Sequence, residues 1–338
     1  VRDGCITLPG VTRRSNSTPP RAFADALSTP PPAGSSWFRR DPRQSIAVRR
    51  FAGPASFRER LDHLRVVHLT DLHVGRVTPM AVLEAAVALA NAERPDLVAI
   101  TGDFVCHSQK YLDELTALMK QITAPTIGVL GNHDYWSGAD EVREALRRGG
   151  VEVLSNQHTV LTLGHERLQV VGLDDAYTGH ADREKALKGL RDDLPTLGLS
   201  HIAEEADRLW PRGVPFVLSG HTHAGQITLA RLHELAIGRL AGHKYVHGLY
   251  GSRRDGPETG AVYVGAGIGA AVMPLRIGER GRREVTVFEL GAEPGSLDEH
   301  HGEQPPLPGR APSPELTARR KANVQKKAAR RAAKNGRG

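Results

Sequence analysis

Three apolar runs in the first half of the chain alternate with two helix-like stretches, and that alternation restricts the fold more than any other feature. "LRVVHLT" (64–70), "DLVAIT" (96–101) and "PTIGVL" (125–130) read as strands, while "TPMAVLEAAVALANAER" (78–94) and "YLDELTALMKQI" (111–122) read as helices. Strand and helix in turn predict an α/β architecture. The rhythm changes in the second half. "TVLTLGHERLQVVGL" predicts a hairpin turning at Gly164 and His165, and "TLGLS", "FVLS", "AVYVGA" and "EVTVFEL" read as further strands with few long helices between them. Two mixed β-sheets packed together, with helices outside, accommodate both halves.

The flanks are different in kind. Residues 1–58 are mostly irregular, rich in Pro, Ser and Arg, with a candidate first strand near residues 45–51. A folded domain is expected over 59–291, followed over 292–338 by a Pro/Gly linker and a basic tail. From Glu315 onward there are nine Lys plus Arg and one acid, a local charge of +8, so the whole-chain charge of +7 leaves 7 minus 8, or −1, for residues 1–314. The basicity belongs to the tail, a solvated extension that can turn helical on a polyanion, either nucleic acid or an anionic membrane. Sparse aromatics (5%) argue against a single-strand stacking platform. Cys5 and Cys106 are too few for a disulfide framework or a thiolate zinc site. No apolar run reaches the roughly 18–20 residues of a membrane span, and the N-terminus lacks a secretory pattern, so a cytoplasmic or membrane-peripheral location is expected.

Chemistry gathers where the apolar runs end. "DLH" (71–73), "GD" (102–103), "GNHD" (131–134), His201 and "GHTH" (220–223) each follow a strand-like run. Taken alone, His221 and His223 are either metal ligands or ordinary loop polars. Open α/β sheets, however, place their sites beyond the carboxyl ends of strands, so five such segments can converge on one point. "GAGIG" (265–269) has neither dinucleotide-fingerprint spacing nor the Lys-Ser/Thr of a phosphate-binding P-loop, and reads as a tight turn.

The ordered set "DLH", "GDF", "GNHD", a later lone His and "GHTH" resembles the calcineurin-like metallophosphoesterase superfamily over roughly residues 60–290. The resemblance implies a four-layer sandwich, two sheets between helices. It implies two divalent ions (Mn, Fe, Zn, Co or Ni), one on Asp71, His73 and His223 and the other on Asn132, His201 and His221, with Asp103 bridging. It also implies that His133 faces the bound phosphate, with Asp134 orienting its ring. Two such ions with two carboxylates and a bridging hydroxide keep a formal +1 that attracts phosphate, and coordination lowers the pKa of water from 15.7 toward about 7, so no protein nucleophile is needed. "GDFVCH" lacks the acid and arginine of the superfamily's Ser/Thr protein phosphatases, which speaks against that activity.

The second half, "GHTHAGQITL", "HKYVHGLY" and "GAGIGAAVMPLRIGERGRREVTVFEL", resembles a bacterial subgroup of membrane-associated phosphodiesterases, some of which cleave UDP-2,3-diacylglucosamine in lipid A synthesis. This implies a phosphodiester or pyrophosphate substrate, with a lipid-linked precursor as one candidate. A nucleotide or nucleic-acid phosphodiesterase is the alternative, and a silent module that binds anionic surfaces through residues 315–338 is a third. Arg276 either contacts substrate phosphate or closes a structural ion pair. Asp174 and Asp175 tune a ligand histidine or cap a loop, and His68 reads as a packed histidine.

Overall fold

The alternating runs become strands of two six-stranded sheets. The computed structural model describes residues 41–225, 242–254, 259–270, 276, 278–307, 309 and 313–335. In chain order the strands are β1 (Ile46–Ala52), β2 (Leu64–Leu69), β3 (Leu97–Thr101), β4 (Thr126–Val129), β5 (Val151–Val153), β6 (Gln157–Leu163), β7 (Glu166–Gly172), β8 (Thr196–Leu199), β9 (Phe216–Ser219), β10 (Gly248–Gly251), β11 (Ala261–Val264) and β12 (Arg283–Leu290). One sheet runs β1-β12-β2-β3-β4-β5 and the other β10-β11-β9-β8-β7-β6. Both are mixed. β2, β3, β4 and β5 pair in parallel, as do β7, β8, β9 and β11, whereas β12–β2, β6–β7 and β10–β11 are antiparallel.

Side-chain alternation assigns the layers. On β2 and β3, Leu64, Val66, Leu97 and Ala99 join Leu168, Val170, Leu197, Leu199, Phe216 and Leu218 of the other sheet in one buried cluster. Val67, Leu69, Val98 and Ile100 point the other way, into a cluster with residues of the helices Met80–Ala92, Leu112–Met119 and Ala139–Arg148. Beyond the second sheet, Val171, Val217 and Val262 meet Ala186, Ala206 and Leu209 of two short helices. The order is helix, sheet, sheet, helix, as expected for two mixed sheets flanked by helices. β5 and β10 are absent from the sequence reading because three residues and a Gly-Leu-Tyr-Gly run carry no usable period. The helix Ala139–Arg148 is mostly charged and buries only Val142, Ala145 and Leu146.

β12 returns from the end of the domain to lie between β1 and β2, and it carries a buried charge. Glu284 lies 2.9 Å from Arg49 Nε and 3.0 Å from His247 Nε2, and accepts from Tyr263 Oη at 3.0 Å and the Ala266 amide at 2.9 Å. Burial alone would raise its pKa, but His247 and Arg49 outweigh that and hold the carboxyl well below its usual range. Through Ala266 this group fixes the loop 265–269, whose Ile268 and Gly269 amides donate to Thr70 and Asp71 carbonyls at 3.1 and 2.7 Å. The turn read in "GAGIG" is thus a brace on the end of β2.

The tail forms the helix Pro314–Asn335, which packs against the helix Asn132–Ser137. Thr317, Arg320 and Val324, at spacings of three and four residues, are its more buried positions. No helix among the described residues is long and apolar enough to cross a membrane.

His68 lies inside the sandwich, 1% exposed, with Nε2 2.8 Å from Thr101 Oγ1. Burial lowers its pKa from 6.5 to about 4, Glu284 opposing only in part. The unfolded chain therefore binds more protons in this window, and stability is full above pH 6.5 and falls as pH drops toward 4, by about 3 kcal/mol in total. His68→Leu should flatten urea-derived unfolding free energy against pH between 6.5 and 4 by up to one proton; an unchanged slope would refute the assignment.

Candidate metal centre

Backbone strain marks the strand ends. Asp71, His73, Asp103, His221 and His223 all have positive φ, at 52°, 46°, 52°, 76° and 52°. Left-handed backbone is unfavourable for residues other than Gly, and such strain persists where the surroundings over-determine it. Here it lets the chain turn at once beyond β2, β3 and β9 and direct adjacent side chains into one crevice between the two sheets' carboxyl ends. The glycines at these strand ends act differently from one another. Gly102 has φ of +87°, a true turn residue, whereas Gly131 at φ −106° and Gly220 are needed for room. A Cβ on Gly131 would overlap Asp103 Oδ1 and its amide nitrogen, and one on Gly220 would overlap Thr70 Oγ1 and Asp71 Oδ2.

Two triads result. The candidate ligand atoms of Asp71, His73 and His223 lie within 4.8 Å of one another, as do those of Asp103, His201 and His221. In the first, His73 Nε2 and His223 Nε2 are 2.9 Å apart, and Asp71 Oδ1 is 3.3 Å from His223 Nε2. In the second, His221 Nδ1 is 3.2 Å from His201 Nε2. Asp103 joins them, its Oδ2 lying 3.6 Å from His73 Nε2 and 3.4 Å from His201 Nε2. His201 is fixed from behind, since Nδ1 lies 2.7 Å from the Thr101 carbonyl, which can only accept, so Nδ1 carries a proton and Nε2 faces Asp103.

The polar inventory fits a cation. Asp71 Oδ1 and Asn132 Oδ1 are buried with no hydrogen-bond partner, an arrangement that costs free energy unless a positive charge shares them. Burial lowers the pKa of His73 and of His223 to about 3, keeping them neutral and able to ligate. Around His201 the balance reverses. Burial disfavours its imidazolium, but Asp103, Asp71 and Asp175 outweigh burial and push its pKa up to about 10, a field that favours any cation held there. Nitrogen and oxygen donors of this kind suit divalent transition metals.

Other expected residues fall as follows. The His133 amide donates to Asp103 Oδ1 at 2.9 Å, its ring packs 4.7 Å from His73, and its Nε2 is 4.0 Å from Asp103 Oδ2. Asp134 does not orient that ring. Its oxygens accept from the Val105 and Gly131 amides at 3.1 and 2.9 Å, tying two strand-end loops together, while His133 Nδ1 is buried without a partner. Arg276 spends its guanidinium on the Ala266, Gly269 and Gly281 carbonyls at 2.6, 2.5 and 3.3 Å, with one nitrogen 3.4 Å from His223 Nδ1. Asp175 accepts from Tyr177 and Thr178 amides at 3.3 and 2.7 Å, the loop-capping arrangement. Sequence reasoning missed Cys106, whose sulfur lies with His73 and His133 atoms in a third cluster, and the aromatic rim of His107, Trp136 and Tyr177. Trp136 follows "GNHDY" directly, which was the available signal.

This sandwich, with candidate ligand sets at its strand ends, fits a metal-dependent phosphoesterase. The calcineurin-like phosphoesterase profile matches residues 64–225. The chain is 29% identical over 246 residues to phosphodiesterase YaeI of Escherichia coli, covering 70% of this chain and 85% of that protein. It is 30% identical over 237 residues to the uncharacterized metallophosphoesterase YkuE of Bacillus subtilis, covering 68% and 79%. TT1561 of Thermus thermophilus, a solved structure, aligns with a TM-score of 0.42 at 16% identity, covering 61% of this chain and 90% of that one. The chain belongs to the calcineurin-like phosphoesterase family, whose members are metal-dependent hydrolases.

Gly131→Ala should push Asp103 off its shared position and lower divalent-metal affinity by about 10–100-fold, the range for displaced supports of metal ligands. Metal per chain by inductively coupled plasma mass spectrometry reads this directly. Gly302→Ala, where a Cβ meets nothing within 4 Å, is the control and should retain its metal.

Proposed function

We propose that this protein hydrolyses phosphodiesters at a centre of two divalent ions, one held by Asp71, His73 and His223, the other by Asn132, His201 and His221, with Asp103 shared. The observation that carries the reading is Asp103 Oδ2, 3.6 and 3.4 Å from one imidazole of each set. Bound there, the ions would polarise the phosphoryl group and supply hydroxide near neutral pH. The chain's own residues do the rest. Asp103 holds the two ligand sets at one spacing, Thr101 fixes the His201 tautomer, and the Glu284-supported loop holds β2 in place.

His133 stands beside both sets without being needed by either. Burial lowers its pKa, with Asp103 opposing, so the neutral ring serves as a hydrogen-bond donor to a phosphate oxygen. We assign Arg276 to bracing the 265–269 loop and the back of His223, because its hydrogen bonds go to backbone carbonyls. The diester preference is supported by the name of the Escherichia coli relative, a phosphodiesterase. A lipid-linked diester, with the protein cytoplasmic or membrane-peripheral, is supported by the likeness of "GHTHAGQITL" and "HKYVHGLY" to membrane-associated phosphodiesterases.

Metal-free protein resupplied with Mn²⁺ should hydrolyse bis(p-nitrophenyl) phosphate faster than p-nitrophenyl phosphate. Asp103→Asn should lower kcat at least about a hundredfold, and His133→Gln by about 10²–10⁴ with metal content retained. A preference for the monoester would overturn the diester assignment, and full activity in Asp103→Asn would overturn the centre.

A further inference from the structure

The C-terminal helix is not free of the site. Between it and the end of the helix Asn132–Ser137 lies a cavity of about 390 Å³ lined by Trp136, Tyr177, Arg320, Lys326, Lys327 and Arg330. The two aromatic rings reach both ways. Trp136 is 4.8 Å from the His133 ring and Tyr177 is 5.2 Å from His221, centroid to centroid. On the helix side, Lys327 Nζ stands 5.1 Å over Trp136 and Arg320 Cζ stands 3.6 Å over Tyr177. One ring therefore separates the helix cations from the imidazoles of the metal centre.

The charge of this cavity is one-sided. Among the described residues no carboxylate pairs with Arg320, Lys326, Lys327 or Arg330, and the only acid of the helix, Glu315, lies at its far end. Four cations on one side of a small cavity repel one another, and an anion placed among them relieves that repulsion and gains charge-assisted hydrogen bonds. The volume is near the lower end of the roughly 300–1,000 Å³ of ligand pockets, which suits one phosphate-bearing group rather than a nucleic-acid strand.

We propose that the docked helix is a wall of the substrate site, and that its cations bind a second phosphate group of the substrate, a few bonds from the phosphodiester being cleaved. The inference rests on the phosphodiesterase reading, since it places the scissile group at the metal centre. It makes residues 320–330 determinants of specificity rather than a tether.

Two esters that differ by one remote phosphate test it: thymidine 5′-(p-nitrophenyl phosphate) and the same ester carrying a 3′-phosphate, with Mn²⁺-loaded full-length chain. The 3′-phosphorylated ester should have the higher kcat/KM by about fivefold or more. In the Arg320→Ala/Lys326→Ala/Lys327→Ala/Arg330→Ala variant the ratio should fall to within about twofold. Both rates come from one preparation, so partial misfolding cancels. An equal preference in both proteins, no preference in the full-length chain, or a variant faster on both esters alike would overturn the proposal, the last making the helix an obstructing lid. Calorimetric titration with thymidine 3′,5′-bisphosphate against thymidine 5′-phosphate repeats the comparison without turnover. If neither ester is cleaved but the bisphosphate binds more tightly only to the unmutated chain, the hydrolase reading fails and the anion site stands; equal affinities overturn the site.

Discussion

Asp103 is buried with its two oxygens divided between backbone and site. Oδ1 accepts from the His133 amide at 2.9 Å, and Oδ2 faces His73 and His201. Burial would raise its pKa, yet His201, His133 and His73 outweigh it and hold the carboxyl well below its usual value. A carboxylate kept charged inside a sandwich must be answered by positive charge or donors on every side. That requirement explains why segments from β2, β3, β4, β8 and β9 all turn inward at one point, and why several do so through strained backbone.

The strain has visible supports. Asp71 lies in left-handed backbone, and its carbonyl accepts from Gly269, its amide donates to Gly102, and its Oδ2 accepts from the His221 amide at 3.0 Å and from Thr70 Oγ1 at 2.8 Å. Only Oδ1 is left for the site. Asp134 performs the same service one loop away, spending both oxygens on amides of two strand ends. The geometry of the candidate centre is thus set by backbone hydrogen bonds to carboxylates, which have little freedom once the strands are paired.

Around this fixed centre the more exposed groups are His133, His221 and His223, and beyond them stand His107, Trp136 and Tyr177. The C-terminal helix brings its cations to that rim. Its position sets the concentrated charge of the tail beside the candidate metal centre.

The α/β class, most strands and the segments that bring the candidate ligands together were legible in the sequence, because strand and helix periods are local and each of these segments follows an apolar run directly. β10 and the charged helix Ala139–Arg148 were not, because their patterns are too short or too polar to announce burial. Only the tertiary structure decided what depends on distance in the chain. It placed Asp134 on the Val105 and Gly131 amides rather than on His133, turned the guanidinium of Arg276 to carbonyls, made Glu284 a buried anchor, and seated Arg320 and Lys327 over Tyr177 and Trp136. Sequence determines which groups can bind a metal or a phosphate; burial and hydrogen-bond competition, which exist only once the sheets have packed, determine which of them are left free to do so.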